Sequence, residues 1–440
     1  MADVSQNWLS CLSLDNLPTI PLASVLSYLN ARDLARCSRV CRRFDEICSS
    51  LPSWKAWCEN GWFVTTCPEE KTWKQVYIEQ FMIWGKYEHC YTAIRRAWNQ
   101  IEDFTRTFCP EIYSSLNPGL TETEISRIEE RHLKGLSLPL DVKCSYRIHN
   151  GQRLVSPGLI GSMSISSHYQ SESLLDLNVA SSGLQHRDGL RNCLLISLCI
   201  YTGNGQFIAL TDEEGHITGE IFWPSPDRSI IMVGSEVIPV RMHKFHSALC
   251  FTDWLTEFAD KLANNCYSVI NQEIFKFEFS SEATTEGITV RTTTSFLPEL
   301  SSVYPPLFFF TYRISISMDE NWPISKKCQL TTRHWFITQG DGVKTEVHGE
   351  GVVGLYPVMT PGAVTEYVSC TTFQTPTGSM EGYYVFKYLD NKSEEFHVRV
   401  PCMNFKSLPF VQAEDRIHRL GRIKLREALD KGEGGSSMVS

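Results

Sequence analysis

The sequence predicts a multidomain protein: an α-helical unit at the amino terminus, an α+β middle region and an all-β sandwich towards the carboxyl end. Three observations carry this expectation. The 440 residues are enough for two to four domains of ordinary size. Over the first stretch of about 60 residues, apolar side chains recur at helical spacing. From about residue 287, short alternating runs are separated by Gly, Pro, Asn and Asp turns, the pattern of many short strands.

Composition removes several classes. Apolar residues make up 42% and charged residues 21%, which excludes a mostly disordered chain, a collagen or a coiled-coil rod. The net charge of −9, with no block of like charges, argues against gripping phosphate backbones, so no nucleic acid is expected. No run approaches the roughly 18 apolar residues of a membrane span, so no membrane is expected either. The start, Met1-Ala2-Asp3-Val4-Ser5-Gln6, lacks the basic segment and apolar run of a signal peptide. Sixteen cysteines contain no CxxC pair, so the expectation is a soluble intracellular protein with reduced thiols. The sequon Asn391-Lys392-Ser393 then carries no glycan.

In the first unit, Leu17-Pro18 opens a stripe of Leu22, Val25, Leu26 and Leu29, one face of an amphipathic helix. Pro21 falls where a first-turn proline is tolerated. Asn30 breaks the pattern, and Asp33 reads as an N-cap leading into Leu34, Cys37, Val40, Cys41 and Phe44 at helical spacing. Trp54 and Trp57 follow Leu51-Pro52-Ser53. Helices of this length form a core too small for firm stability alone. Periodicity leaves open a cap packed on the rest of the chain and a dedicated binding module.

The residue identities go further. Leu17-Pro18, Leu22, Val25-Leu26, Tyr28-Leu29, Asp33-Leu34, Cys37, Val40-Cys41-Arg42-Arg43-Phe44 and Trp54 resemble an F-box, with Ile20 in place of the acidic residue common after Leu-Pro. That resemblance implies docking onto the Skp-type adaptor of a cullin–RING ubiquitin ligase. Leu17, Pro18, Ile20, Leu22, Leu26, Leu34 and Val40 would be the adaptor-binding residues.

Residues 71–135 carry aromatic-rich helical segments. Trp73, Tyr77, Phe81 and Trp84 read as a core stripe, and Ala93, Ile94, Ala97, Trp98 and Ile101 as a second. Thr121-Glu122-Thr123-Glu124 offers a capping box. Short strand-like runs follow at Cys193–Tyr201, Gln206–Leu210, Ile221–Trp223 and Ile230–Val233. A helix containing Phe251, Trp254, Leu255, Phe258 and Leu262 closes the region, which reads as α+β. Leu138-Pro139, Tyr146-Arg147-Ile148-His149-Asn150-Gly151, Gly158-Leu159-Ile160-Gly161-Ser162 and Phe251-x-x-Trp254-Leu255 resemble the Smi/Knr (SUKH) superfamily. Its members are mostly protein-interaction modules.

The last region reads as strands at Ile288–Phe296, Phe308–Ile316, Trp335–Thr338, Val343–Val347, Tyr367–Phe373, Gly382–Leu389 and Phe396–Val400. Beyond Pro409, Ala413–Leu429 reads as a modest helix and Gly432–Ser440 as a frayed end. Gly349-Glu350-Gly351-Val352-Val353-Gly354 is a literal GxGxxG, but a dinucleotide site needs a helix after the turn. Pro357 and Pro361-Gly362 break any such helix, so the glycines read as a loop of positive φ.

Around that loop, Cys328-Gln329-Leu330, Arg333-His334-Trp335-x-Ile337-Thr338, Val347-His348, Tyr367, Ser369, Gly378-Ser379-Met380-Glu381-Gly382-Tyr383-Tyr384 and Phe386 resemble an ApaG domain over about 287–402. This is a fibronectin-III-like sandwich whose bacterial members link the loop to phosphate or pyrophosphate. Here Cys370 stands where glycine often follows the serine. The resemblance and the loop's exposed backbone amides, not Cys370, make Gly349, Gly351 and Gly354 a candidate anion-binding loop, and a phosphate- or nucleotide-binding protein is the alternative function.

Catalytic constellations are weaker. Cys144, His149 and Asn150 make a nominal nucleophile set, but triads assemble from distant segments; a buried cysteine and a strand-end histidine is the simpler reading. Cys58, Cys67, His89 and Cys90 match no common zinc spacing. Glu129-Glu130 and Asp212-Glu213-Glu214 fall on solvated faces or turns. No catalytic residue, metal or cofactor is expected.

Together the resemblances imply an F-box at 10–57, a helical linker at 58–115, a SUKH-like domain at 116–272, an ApaG domain at 280–408 and a helix and tail at 409–440. They imply a non-catalytic substrate receptor of an SCF-type ubiquitin ligase in nucleus and cytoplasm. Its partners would be the Skp-type adaptor, the cullin–RING core and protein substrates.

Overall fold

The computed structural model describes residues 14–165, 168–187, 189–226, 232–233, 236–237, 242–390 and 394–411. The expected helix at 413–429, the frayed end at 432–440, the sequon at 391–393 and the first six residues lie outside this set. The chain divides into two compact units, Met1–Arg95 and Arg96–Ser440.

The first unit is helical: α1 (Thr19–Leu26), α2 (Ala31–Cys37), α3 (Arg42–Ser50), α4 (Ser53–Gly61), α5 (Trp73–Trp84) and the start of α6 (Glu88–Phe108). Spacing alone suggests one helix through Asp33–Phe44, but the structure has two. Asn30, not Asp33, caps α2, its side chain accepting from the Asp33 amide at 2.9 Å. Cys41 then takes an extended conformation ahead of α3, which breaks the helical period. Leu22, Leu26, Leu34, Phe44, Ile47, Cys48, Leu51 and Trp54 form the core.

The aromatic stripe of α5 is less buried than its period suggests. Val76 is the buried residue of that helix, while Phe81 is exposed. The Tyr77 ring packs edge-on to Trp54 at 5.2 Å and lies 5.9 Å from Trp62. An aromatic stripe can thus cover a core from outside rather than enter it.

The second unit begins with the rest of α6, α7 (Pro110–Ser115), α8 (Glu122–His132) and α9 (Leu140–Ile148). The capping box at α8 forms as expected between Thr121 and Glu124. Two five-stranded sheets follow, with α10 (Leu177–Ser182) and α11 (Phe251–Ala263). One orders Ser268–Ile270, Glu273–Phe275, Gly161–Ile165, His168–Leu174 and Ser197–Cys199. The other orders Phe410–Val411, Met242–Ala248, Ile221–Pro226, Phe207–Ala209 and Cys193–Leu195.

The run Cys193–Tyr201 is therefore not one strand. It changes sheet at Ile196, where the amides of Ile196 and Ser197 both reach the Gln206 carbonyl. Residues 232–233 do form a strand, paired in a two-stranded ribbon with Glu236–Val237.

The remaining strands make the expected sandwich. One sheet orders Glu278–Thr285, Ile288–Phe296, Phe308–Met318 and Val364–Phe373. The other orders Lys344–Glu350, Cys328–Gln339, Thr377–Tyr388 and Glu395–Lys406, with Val358–Met359 also paired to Cys328–Gln339. Phe308, Phe310, Tyr312, Ile314, Ile316 and Met318 alternate into the core with the period of two that a pleated strand imposes.

The register slips at bulges between Leu330 and Thr332 and between Met380 and Gly382, each resetting which side chains face inward. At the second, a Cβ on Gly382 would stand 1.9 Å from the His334 carbonyl oxygen. Only glycine permits that approach.

Candidate functional site

The amino-terminal unit sorts its apolar residues into two sets. Leu22, Leu26 and Leu34 are closed inside its own core, with Leu17 packed against them. Those three leucines, expected to bury against a partner, instead hold α1, α2 and α3 together; helical period identified them because core residues repeat most strictly. Pro18, Ile20 and Val40 are exposed, Ile20 at 83% and Val40 at 67%.

Leu14, Val25 and Tyr28 join them, Tyr28 at 88%, and none of these three was among the expected contact residues. Spacing places Val25 on the stripe with Leu22 and Leu26, yet the structure exposes it; Leu14 and Tyr28 lie off that stripe. Ile20, Val25, Tyr28 and Val40 are thus water-facing apolar side chains within one small helical unit. The geometry is fixed from behind, since the Arg43 guanidinium donates to the Leu17 carbonyl and Pro18 starts α1 in an extended conformation.

The glycine loop follows strand Lys344–Glu350, and no helix succeeds it, as the prolines require. Arg333 Nη1 donates to the carbonyls of Glu350 and Gly351, each at 2.7 Å. A Cβ on Gly349 would lie 3.0 Å from that guanidinium, and one on Gly351, at φ +55°, would lie 2.4 Å from the Leu355 carbonyl oxygen. The Gly351 amide donates to Thr331, and Val352 and Leu355 exchange both backbone bonds. Tyr356 donates to the Glu350 carboxylate at 2.9 Å. Gly351 and Gly354 take the expected positive φ in a tight turn, as does Val353, whereas Gly349 stays in strand Lys344–Glu350 opposite Arg333; the adjoining Glu350 carries a carboxylate.

The nominal Cys144, His149 and Asn150 set serves the backbone. His149 bonds Glu102 Oε1 and the Asn117 carbonyl, each at 3.1 Å, and Asn150 Oδ1 accepts from the Leu177 amide at 2.8 Å. Cys144 is buried. Glu129 binds Lys143 and the Leu138 amide, each at 2.8 Å, and Asp212 closes a turn onto Thr218. Among the described residues no group of three or more His, Cys, Asp or Glu side chains could hold a metal, Cys58, Cys67, His89 and Cys90 included. Every described cysteine is a free thiol, and no described helix is long and apolar enough to cross a membrane.

A buried ionic cluster gave no sequence signal, because its members come from separate strands and turns. Glu220, fully buried, accepts from Lys244 and lies 2.9 Å from His216 Nδ1 and 3.4 Å from His246 Nδ1. Burial alone would push its carboxyl up. The His216 hydrogen bond and the positive charges of Lys244 and His246 outweigh burial and hold it down at about 2.

Family models match three regions: F-box-like over 14–60, SMI1 / KNR4 family (SUKH-1) over 119–257 and ApaG domain over 298–388. F-box only protein 3 of Bos taurus is 43% identical over 397 residues, covering 89% of this chain and 82% of its own length. This chain belongs to the F-box only protein 3 family.

A more distant relative, F-box protein SKIP16 of Arabidopsis thaliana, is 28% identical over 433 residues, covering 88% of this chain and 97% of that protein. Protein ApaG of Methylocella silvestris is 38% identical over 130 residues, covering 30% of this chain and 95% of its own length. The family's three parts thus occur in the order read from the motifs.

Proposed function

We propose that this protein is the substrate receptor of an SCF-type ubiquitin ligase and makes no bond itself. One observation carries the reading: Ile20, Val25, Tyr28 and Val40 stand in water on a helical unit whose own core is already closed by Leu22, Leu26 and Leu34. Covering them with a Skp-type adaptor stabilises the complex by roughly 25 cal/mol per Å² of apolar surface removed from water. The adaptor connects to the cullin–RING core. The SUKH-like and ApaG regions present a protein substrate to the charged E2, so rate enhancement comes from proximity within the assembly. The assembly works in nucleus and cytoplasm, where thiols stay reduced.

The test is co-expression with a Skp-type adaptor and cullin, with and without residues 1–60, followed by affinity purification. The full chain recovers both partners and the truncated chain neither. Equal recovery would refute the reading.

A further inference from the structure

Within the unit that begins at Arg96, the α+β sheets and the sandwich border a half-open cavity of about 450 Å³. That volume lies in the range of ligand pockets, which favour such boundaries between two packed regions. Buried Trp223, Trp254 and Phe310 form part of its wall, and the half-exposed Phe279 stands at its edge.

The polar side of the wall is built rather than accidental. Gln206 Oε1 accepts from Ser247 Oγ at 2.6 Å and from Trp254 Nε1 at 3.1 Å. Gln206 Nε2 donates to Glu172 Oε1 at 2.6 Å, and Lys276 Nζ donates to Glu172 Oε2 at 3.0 Å. Glu172 is fully buried, so this network fixes both an indole face and an ammonium against the cavity.

The lining charges fall into two groups of opposite excess. Glu257 and Glu278 both bind Lys261 Nζ, at 3.0 and 2.8 Å, which leaves one negative charge over. Lys276 is matched by Glu172, while the exposed Lys406 has no acidic partner among the described residues, which leaves one positive charge over. The carboxylates at the first group already have their cation. An ammonium carries three donors, so Lys276 and Lys406 retain capacity for an incoming acid.

We propose that this cavity reads the substrate: it receives a short segment of a protein in which a bulky apolar side chain lies beside an acidic one. The apolar side chain packs on the aromatic wall and the carboxylate pairs with Lys406. This inference rests on the receptor reading above and names the chemistry that such a receptor selects.

The test co-expresses the full chain with its adaptor, holds the chain by an affinity tag of its own, and pans a displayed library of random peptides against it. A fluorescent copy of the most enriched peptide is then titrated into the parent and three variants. Ser295→Phe fills the cavity wall, Lys406→Glu reverses the exposed cation, and Phe336→Ser alters an exposed residue that does not line the cavity.

Enriched peptides should share an acidic residue within two positions of a large apolar one. Affinity should fall about tenfold or more in the first two variants, as expected for a lost anchor, and hold in the third. No enrichment, enriched peptides without the acid–apolar pair, or unchanged affinity in Lys406→Glu would overturn the proposal. Should Ser295→Phe misfold, the exposed Lys406→Glu decides alone. Adaptor recovery is scored separately: peptide failure with adaptor retained sinks only the pocket, and adaptor failure with peptide binding intact sinks only the receptor reading.

Discussion

Phe410 pairs in antiparallel register with Phe245, their rings 6.2 Å apart at 76°. Phe410 follows the last strand of the sandwich, yet Phe245 lies in the second α+β sheet, where the Phe410 strand is added at the edge. The same Phe245 ring packs 5.1 Å from Phe296 and 6.3 Å from Phe308, so the two regions share one hydrophobic core. The His246 amide donates to the Pro409 carbonyl at 2.6 Å, extending the clasp.

The clasp should be measurable in stability. Phe410→Ala removes a partly buried ring and should cost about 2 kcal/mol, below the range for a fully enclosed phenylalanine. Urea unfolding followed by tryptophan fluorescence reads the midpoint shift. A midpoint equal to the parent's would mean that the short terminal strand is ornamental.

The Glu220 cluster sets a direction for acid stability. Its carboxyl is held at about 2 when folded and returns to roughly 4.3 when unfolded. A depressed folded value means that the stabilisation is complete above the unfolded value and is lost as pH falls towards the folded one. Stability measured between pH 5 and 2 should therefore decline through that window. Glu220→Gln should flatten this decline while lowering stability at neutral pH, because Lys244 then loses its buried counter-charge. Parallel pH profiles for the two proteins would contradict this role.

Gly382→Ala tests the sandwich register. With the added methyl 1.9 Å from the His334 carbonyl oxygen, strands Cys328–Gln339 and Thr377–Tyr388 must separate locally. The expected cost is about 2 kcal/mol or more, in the range of overpacking, seen as a lowered thermal midpoint. An unaltered midpoint would show that the backbone yields freely there.

The glycine turn gives an expectation of its own. The amides of Gly351, Val352 and Leu355 are already bonded, and the Glu350 carboxylate repels an arriving anion. Titration of the full chain with pyrophosphate should release no heat, and Glu350→Gln should leave that result unchanged. Saturable heat at micromolar pyrophosphate would restore the loop as a ligand site.

Much of the fold was legible where periodicity is local. Ile288–Phe296 appears as read, and Thr121 with Glu124 caps α8 as the box requires. Legibility failed where tertiary contacts override period. Cys193–Tyr201 looks like one strand, yet the demands of two sheets divide it at Ile196. Asp33 looks like a cap, yet Asn30 has the side chain whose oxygen meets the Asp33 amide.

The candidate surface shows the same limit. Leu22 and Leu26 fill the core, whereas Val25 keeps the same helical spacing and still faces water, so period alone does not separate the core face from the exposed one. The Glu220 cluster and the Gln206 network draw on residues far apart in the chain, and no spacing rule joins them.

Adaptor affinity measures the central claim most directly. The Ile20→Asp, Tyr28→Asp double variant changes two exposed side chains and should keep the parent's thermal midpoint while binding a Skp-type adaptor at least about tenfold more weakly by calorimetry. Parent-like affinity in that folded variant would contradict the account.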